Sequence, residues 1–135
     1  MASLDDFLEE MQAQVSLSAA ERRRLAALWP DAERAARVCL ARMPGIGVLS
    51  FSRRAKAFLF VSRALDDYVE KGELDQEQAQ LALTIMRLQS RRFRKAESMF
   101  SARASRFSQN ELASLPETAR IFLKAMWRHD GHRSD

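Results

Sequence analysis

Apolar residues three and four positions apart recur along most of the chain, which is the spacing of helices that bury one face. The first such stripe predicts a helix that is capped by Ser3 and runs to about residue 15. Its members are Leu4, Phe7, Leu8, Met11 and Val15. No segment alternates apolar and polar residues for long enough to predict a strand convincingly. The pattern therefore predicts an all-α fold, a compact bundle of five to seven helices.

Three Ser-x-x-Glu sequences match the capping box, in which side chains at the start of a helix bond to its first backbone N–H groups. They lie at Ser18–Glu21, Ser108–Glu111 and Ser114–Glu117. The helix that the first one opens meets a proline, which suits the first turn of a helix better than its interior. Pro30 therefore either begins a new helix, which runs to about Met43, or lies where one helix bends and continues.

Two long helices are predicted in the middle of the chain. The first is capped by Ser50 or Ser52 and ends just before Gly72, since glycine is a frequent C-terminal stop. The second begins at Asp75, can reach Ala104 and would be the longest helix in the chain. Its apolar stripe runs from Ala79 to Phe100.

Length and composition favour one domain. The chain has 135 residues, of which 47% are apolar, and only four glycines and three prolines. So few turn-forming residues argue against a β-sandwich or barrel. We expect one all-helical domain over residues 1–128, followed by a flexible C-terminal tail over residues 129–135.

The candidate chemistry for catalysis or metal binding is sparse. Cys39 is the only cysteine, so an internal disulfide and a four-cysteine zinc site are excluded. His129 and His132 are the only histidines, and with Asp130 they make an incomplete ligand set. No phosphate-binding Walker loop, dinucleotide-binding glycine pattern or nucleophile elbow is visible. We therefore expect no enzyme activity, no cofactor and no metal site.

The cellular setting follows from the same residues. The first ten residues are acidic and do not resemble a signal peptide. The longest apolar run, residues 57–61, is far too short to span a membrane. We expect a cytoplasmic protein without membrane contact, and the alanine- and arginine-rich composition is typical of a bacterial source.

Acidic and basic blocks alternate along the chain. Residues 1–20 carry four acids and no Lys or Arg, and residues 65–80 carry six acids and one base. Residues 21–64 carry ten bases and three acids, and residues 81–110 carry seven bases and one acid. Two interpretations remain open: the blocks neutralise one another when the helices pack, or the two basic blocks form one face for a polyanion.

The stretch LARMPGIG, residues 40–47, resembles the hairpin of the helix-hairpin-helix motif, where an apolar-Pro-Gly-apolar-Gly turn links two helices. The resemblance implies a phosphate-binding loop in which Gly45 and Gly47 let backbone N–H groups approach a phosphate. The assisting bases would be Arg42, Arg53, Arg54 and Lys56. The alternative is that Pro44 and Gly45 end one helix while the apolar residues after them enter the core.

The segment from Arg87 to Arg106 is the second candidate, because it carries several like charges that repel one another unless an anion opposes them. We predict that this segment and the bases after residue 52 neutralise nucleic-acid phosphates, largely independently of base sequence. The predicted contact residues are Arg53, Arg54, Lys56, Arg87, Arg91, Arg92, Arg94, Lys95, Arg103 and Arg106. A solvated helix face is the alternative for the segment.

The helix predicted after Ser52 has its charges reversed relative to its dipole, with bases at the start and acids at the end. Such a reversal predicts compensating partners inside or outside the fold. The sequence thus favours a small accessory or regulatory protein that binds nucleic acid. The alternative is a protein-protein interaction module, such as an adaptor, inhibitor or subunit, that docks an acidic protein surface through its charged blocks without nucleic acid.

Overall fold

The fold is all-α, as the apolar pattern predicted. The computed structural model describes residues 4–12, 17–43 and 51–131, with the side chains of residues 10–12, 51–54 and 127–131 outside that description. Within these ranges there are seven helices and no strand: α1 (Leu4–Gln12), α2 (Ala19–Arg42), α3 (Phe51–Glu70), α4 (Gln76–Gln89), α5 (Arg91–Ala104), α6 (Gln109–Ala113) and α7 (Glu117–Gly131). None of the described helices is both long and apolar enough to cross a bilayer.

Helix α3 lies at the centre of the bundle and packs against α2, α4, α5 and α7. Its fully buried Phe58 stacks on Phe100 of α5 with ring centroids 4.6 Å apart. Phe122 of α7 and Phe93 of α5 lie 4.9 and 5.9 Å from the same ring. Aromatic pairs at these distances add to the gain from burial, so this cluster fixes α5 and α7 on α3.

Helices α2 and α4 form the second close pair. The buried residues that they contribute include many alanines, which let helix backbones approach closely: Ala32, Ala35, Ala36, Ala79 and Ala82. At the edge of this pair, Arg24 Nε donates to Glu77 Oε2 at 2.8 Å. Helix α1 docks on α2 through Phe7 and Trp29, whose ring centroids are 5.0 Å apart.

Helix α2 runs through Pro30 without a break, so the alternative of a new helix at this proline is wrong. Proline removes one backbone hydrogen bond and is costly inside a helix. Here the adjoining residues Trp29 and Ala32 are buried. Their packing favours helical backbone on both sides of the proline.

The prediction of a single helix from Asp75 to Ala104 is wrong, because the chain breaks at Ser90. The Ser90 N–H donates to the Met86 carbonyl at 2.9 Å, which closes α4. The Ser90 hydroxyl accepts from the Phe93 N–H at 3.1 Å, which opens α5. Serine competes with the helix for backbone partners, and α2 is consequently the longest described helix.

The helix starts predicted at Ser18–Glu21 and Ser108–Glu111 are confirmed, and both capping boxes are complete. The third predicted box is wrong. Ser114 lies at the end of α6, where its hydroxyl donates to the Glu111 carbonyl at 3.0 Å. The predicted stop at Gly72 is confirmed, with φ at 75° in the left-handed region that glycine favours.

Asp66 of α3 holds the start of α7, across 51 residues of sequence. Its Oδ2 accepts from the Glu117 N–H at 2.8 Å, and its Oδ1 accepts from the Thr118 N–H at 2.9 Å. The Thr118 hydroxyl donates to the same Oδ1 at 2.5 Å. An acid near the C-terminus of α3 is unfavourable for α3 but favourable at the N-terminus of α7. The fold thus offsets one of the reversed charges internally.

Replacing Asp66 with alanine should lower the free energy of unfolding by about 2–4 kcal/mol, since a cap is lost and the buried Thr118 hydroxyl loses its acceptor. Asp66→Asn keeps one oxygen and should cost less. Urea unfolding followed by circular dichroism measures both. The matched control is Asp67→Ala at an exposed neighbour, for which a change within about 0.5 kcal/mol is expected. Equal losses in Asp66→Ala and the control would contradict the cap.

Cys39 should be unreactive in the folded protein. It is 1% exposed, and burial raises the pKa of its thiol from 9.0 to about 11. The thiolate is the form that attacks a disulfide reagent and displaces its leaving thiolate, so labelling at pH 8 should be at least ~100-fold slower than in urea. Because the pKa is raised in the folded state, this thiol stabilises the fold below pH 9, and that contribution is lost as pH rises towards 11. Rapid labelling without denaturant would contradict the buried placement.

Candidate nucleic-acid interface

Arg87, one of the predicted contact residues, is engaged inside the fold. Its Nε and Nη2 donate to the two carboxylate oxygens of Glu97 at 2.8 and 2.7 Å, joining α4 to α5. This bond raises the pKa of the Arg87 guanidinium above its ordinary value. The guanidinium also lies 6.0 Å from the centre of the Phe122 ring, within cation-π range. Its charge is therefore compensated before any ligand arrives.

Arg94 is placed by a bond to the backbone. Its Nη1 donates to the Arg87 carbonyl at 2.9 Å, where that oxygen lies in the last turn of α4. No other described group accepts a hydrogen bond from this guanidinium, and the side chain is exposed. Arg94 is thus oriented but keeps its charge and most of its donors.

Arg91, Arg92 and Lys95 lie on the outer side of α5, and all three are exposed. Within the described part of the chain, no carboxylate forms an ion pair with any of them. Arg103 and Arg106 are also exposed, about two and three turns beyond Lys95. The charge of Arg103 helps to lower the pKa of Glu111, although the hydrogen bonds from Ser108 contribute more.

Three acids of the block at residues 65–80 have their partners outside α5. Asp66 caps α7, as described above, and Asp75 caps its own helix by accepting from the Gln78 N–H at 2.7 Å. Glu77 binds Arg24 of α2, and this bond lowers the pKa of the Glu77 carboxyl. Among the described residues, no ion pair joins this block to the bases of α5. The outer surface of α5 therefore remains positive.

The second predicted basic group is only partly described. Lys56 is exposed on α3, and Arg42 is exposed at the end of α2, where it shares a small pocket with Asp67 and Lys71. Gly45, Gly47 and the other loop residues lie outside the described residues, as do Ser3 and Ser50, the side chains of Arg53 and Arg54, and those of His129 and His132. The phosphate-binding loop therefore stays a prediction.

Comparison of the chain with known protein families, with curated proteins and with solved structures found no match. Over the ranges that the structure describes, no cluster of three or more His, Cys, Asp or Glu residues could hold a metal ion.

Replacing Arg87 with methionine should lower the free energy of unfolding by about 1–3 kcal/mol, because the Glu97 carboxylate, 12% exposed, would lose its counter-charge. Arg91→Met on the exposed face should change stability by less than about 0.5 kcal/mol. Chemical denaturation of the two variants compares an engaged arginine with an exposed one of the same helix pair. If both variants unfold alike, the Arg87–Glu97 pair does not hold α4 and α5 together.

Proposed function

We propose that the protein binds nucleic acid through the outer surface of α5, with little dependence on base sequence. The α5 surface is defined here by Arg91, Arg92, Arg94 and Lys95 of the helix and by Arg106 in the turn that follows it. The observation that carries the proposal is the exposure of Arg91, Arg92 and Lys95 without a carboxylate partner in the described structure. Like charges on adjacent turns repel one another, and the phosphates of a nucleic acid would relieve that repulsion.

The binding mechanism is phosphate neutralisation with release of condensed counterions. Long arginine and lysine side chains on an exposed helix reach phosphates. Recognition of base sequence requires side chains that enter a groove of the nucleic acid. The aromatic residues of α5, Phe93 and Phe100, are fully buried and unable to stack on a base. The chemistry of the α5 surface thus favours contacts to the backbone of the nucleic acid.

Arg87 has a positioning role in this proposal. Its carbonyl holds the Arg94 guanidinium, and its side chain ties α4 to α5 through Glu97. The other predicted bases, Lys56 and Arg103, are exposed and would extend the positive field. They would add to the rate of encounter more than to specific contacts.

The test is fluorescence anisotropy of labelled single-stranded DNA, duplex DNA and RNA, titrated with protein at low and near-physiological salt. The wild-type protein should bind saturably, with affinity falling linearly on a log–log plot against salt. The triple variant R91E/R92E/K95E should lose most of the binding. Its salt slope should be smaller by roughly 2–3, since each lost phosphate contact removes about 0.7–0.9.

The matched control is R23E/K71E/K124E, which changes the net charge equally at exposed bases outside α5. This control should retain most of the binding. Equal losses in the two triple variants would show that net charge alone draws the nucleic acid and would overturn the assignment to α5. Absence of binding at low salt would exclude nucleic acid and redirect the search to an acidic protein surface.

A further inference from the structure

An open groove of about 760 Å³ lies between α5 and α7, with Arg87 of α4 on its wall. Its size falls within the range of about 300–1,000 Å³ that is usual for small-ligand sites. The two helices are both fixed on α3 by the Phe58 cluster. The groove is therefore bounded by elements whose spacing the core determines.

The groove has an apolar side. Phe122, Ala125 and Met126 of α7 face Ala102 of α5 across it. Phe122 is mostly buried, whereas Ala102 and Ala125 are exposed. An apolar ligand would remove this surface from water, which is favourable in proportion to the area covered.

The groove also has a polar side with one uncompensated charge. Arg87 and Glu97 neutralise each other on the wall, which leaves Arg94 as the unmatched charge among the described lining residues. Arg94 uses a single donor, Nη1, on the Arg87 carbonyl. Its remaining N–H groups are available to an oxygen ligand.

A hydroxyl in the same groove is weakly used. The Ser101 hydroxyl donates to the Met126 sulfur at 3.4 Å, and a thioether is a poor acceptor. Ser98 adds a second, exposed hydroxyl to the lining.

We propose that this groove binds a small amphipathic carboxylate, with the carboxylate on Arg94 and the apolar body along Phe122 and Met126. The pairing of one unmatched cation with an apolar wall selects a single negative charge on an apolar chain. A neutral molecule of the same length would leave the guanidinium unpaired, and a cation would be repelled. This site is independent of the proposed nucleic-acid surface except for Arg94.

The test uses decanoate as the probe and the full chain, with amide chemical shifts in ¹H–¹⁵N spectra as the readout. Decanoate should shift amides of α5 and α7, and decyltrimethylammonium should not. Arg94→Gln should weaken binding about tenfold, the usual scale for one charge-assisted contact. Arg91→Gln, on the exposed face of the same helix, should bind as the wild type does.

Variants that fill the groove distinguish ligand binding in the groove from nucleic-acid binding on the α5 surface. Ala125→Trp adds bulk at an exposed position of α7 and should abolish decanoate binding while nucleic-acid binding is unchanged. If that variant does not fold, Ala102→Trp fills the opposite wall. Decanoate binding that survives groove filling, equal binding of the decyl cation, or shifts confined to other helices would overturn the proposal. The triple variant R91E/R92E/K95E should still bind decanoate, so the two proposals can fail separately.

Discussion

The stacking of Phe58 on Phe100 is the contact on which the outer half of the bundle depends. It lies at the centre of a buried aromatic cluster that brings α3, α5 and α7 together. Because helix packing is as dense as a crystal, a cluster of rings sets both the distance between helices and their rotation. The rotation of α5 turns Phe93 and Phe100 inward, and the helical repeat then places Arg91 and Lys95 outward. The position of the charged surface is thus a consequence of the core.

Among the described residues, the acidic block at residues 65–80 does not neutralise the bases of α5, because the acids of that block that form bonds lie at junctions between helices. Three of the six acids in residues 65–80 bind α7, the start of α4 and Arg24. Glu97, the single acid of α5, binds Arg87 at the inner edge of the helix. These pairings stabilise junctions between helices. They leave the outer face of α5 with bases and no acid. Glu97 thus anchors α5 to α4, while the exposed basic side chains give the outer surface of α5 its positive charge.

Features that depend on neighbouring residues could be predicted from the sequence. The capping boxes at Ser18 and Ser108 and the stop at Gly72 are local, and their geometry follows from three or four residues. The break at Ser90 was missed because the apolar stripe continues across it, although serine is a frequent N-cap residue. The role of Asp66 could not be foreseen, since its partner Thr118 is 52 residues away and only packing brings the two together. The pairing of Arg87 with Glu97 could not be predicted either. In the single helix that the sequence predicted, two side chains ten residues apart do not come together.

The break at Ser90 also constrains how the sequence of this protein can vary. One residue ends a helix that packs on α2 and begins a helix that packs on α3, so the chain changes partner there. A continuous helix over residues 76–104 would extend about 44 Å at 1.5 Å per residue, whereas the break lets each part pack on a different helix. Short side chains that accept a hydrogen bond, such as threonine, aspartate and asparagine, are therefore favoured as replacements at position 90. The Ser90 cap thus favours two short helices over one rod, in agreement with the different helices on which α4 and α5 pack.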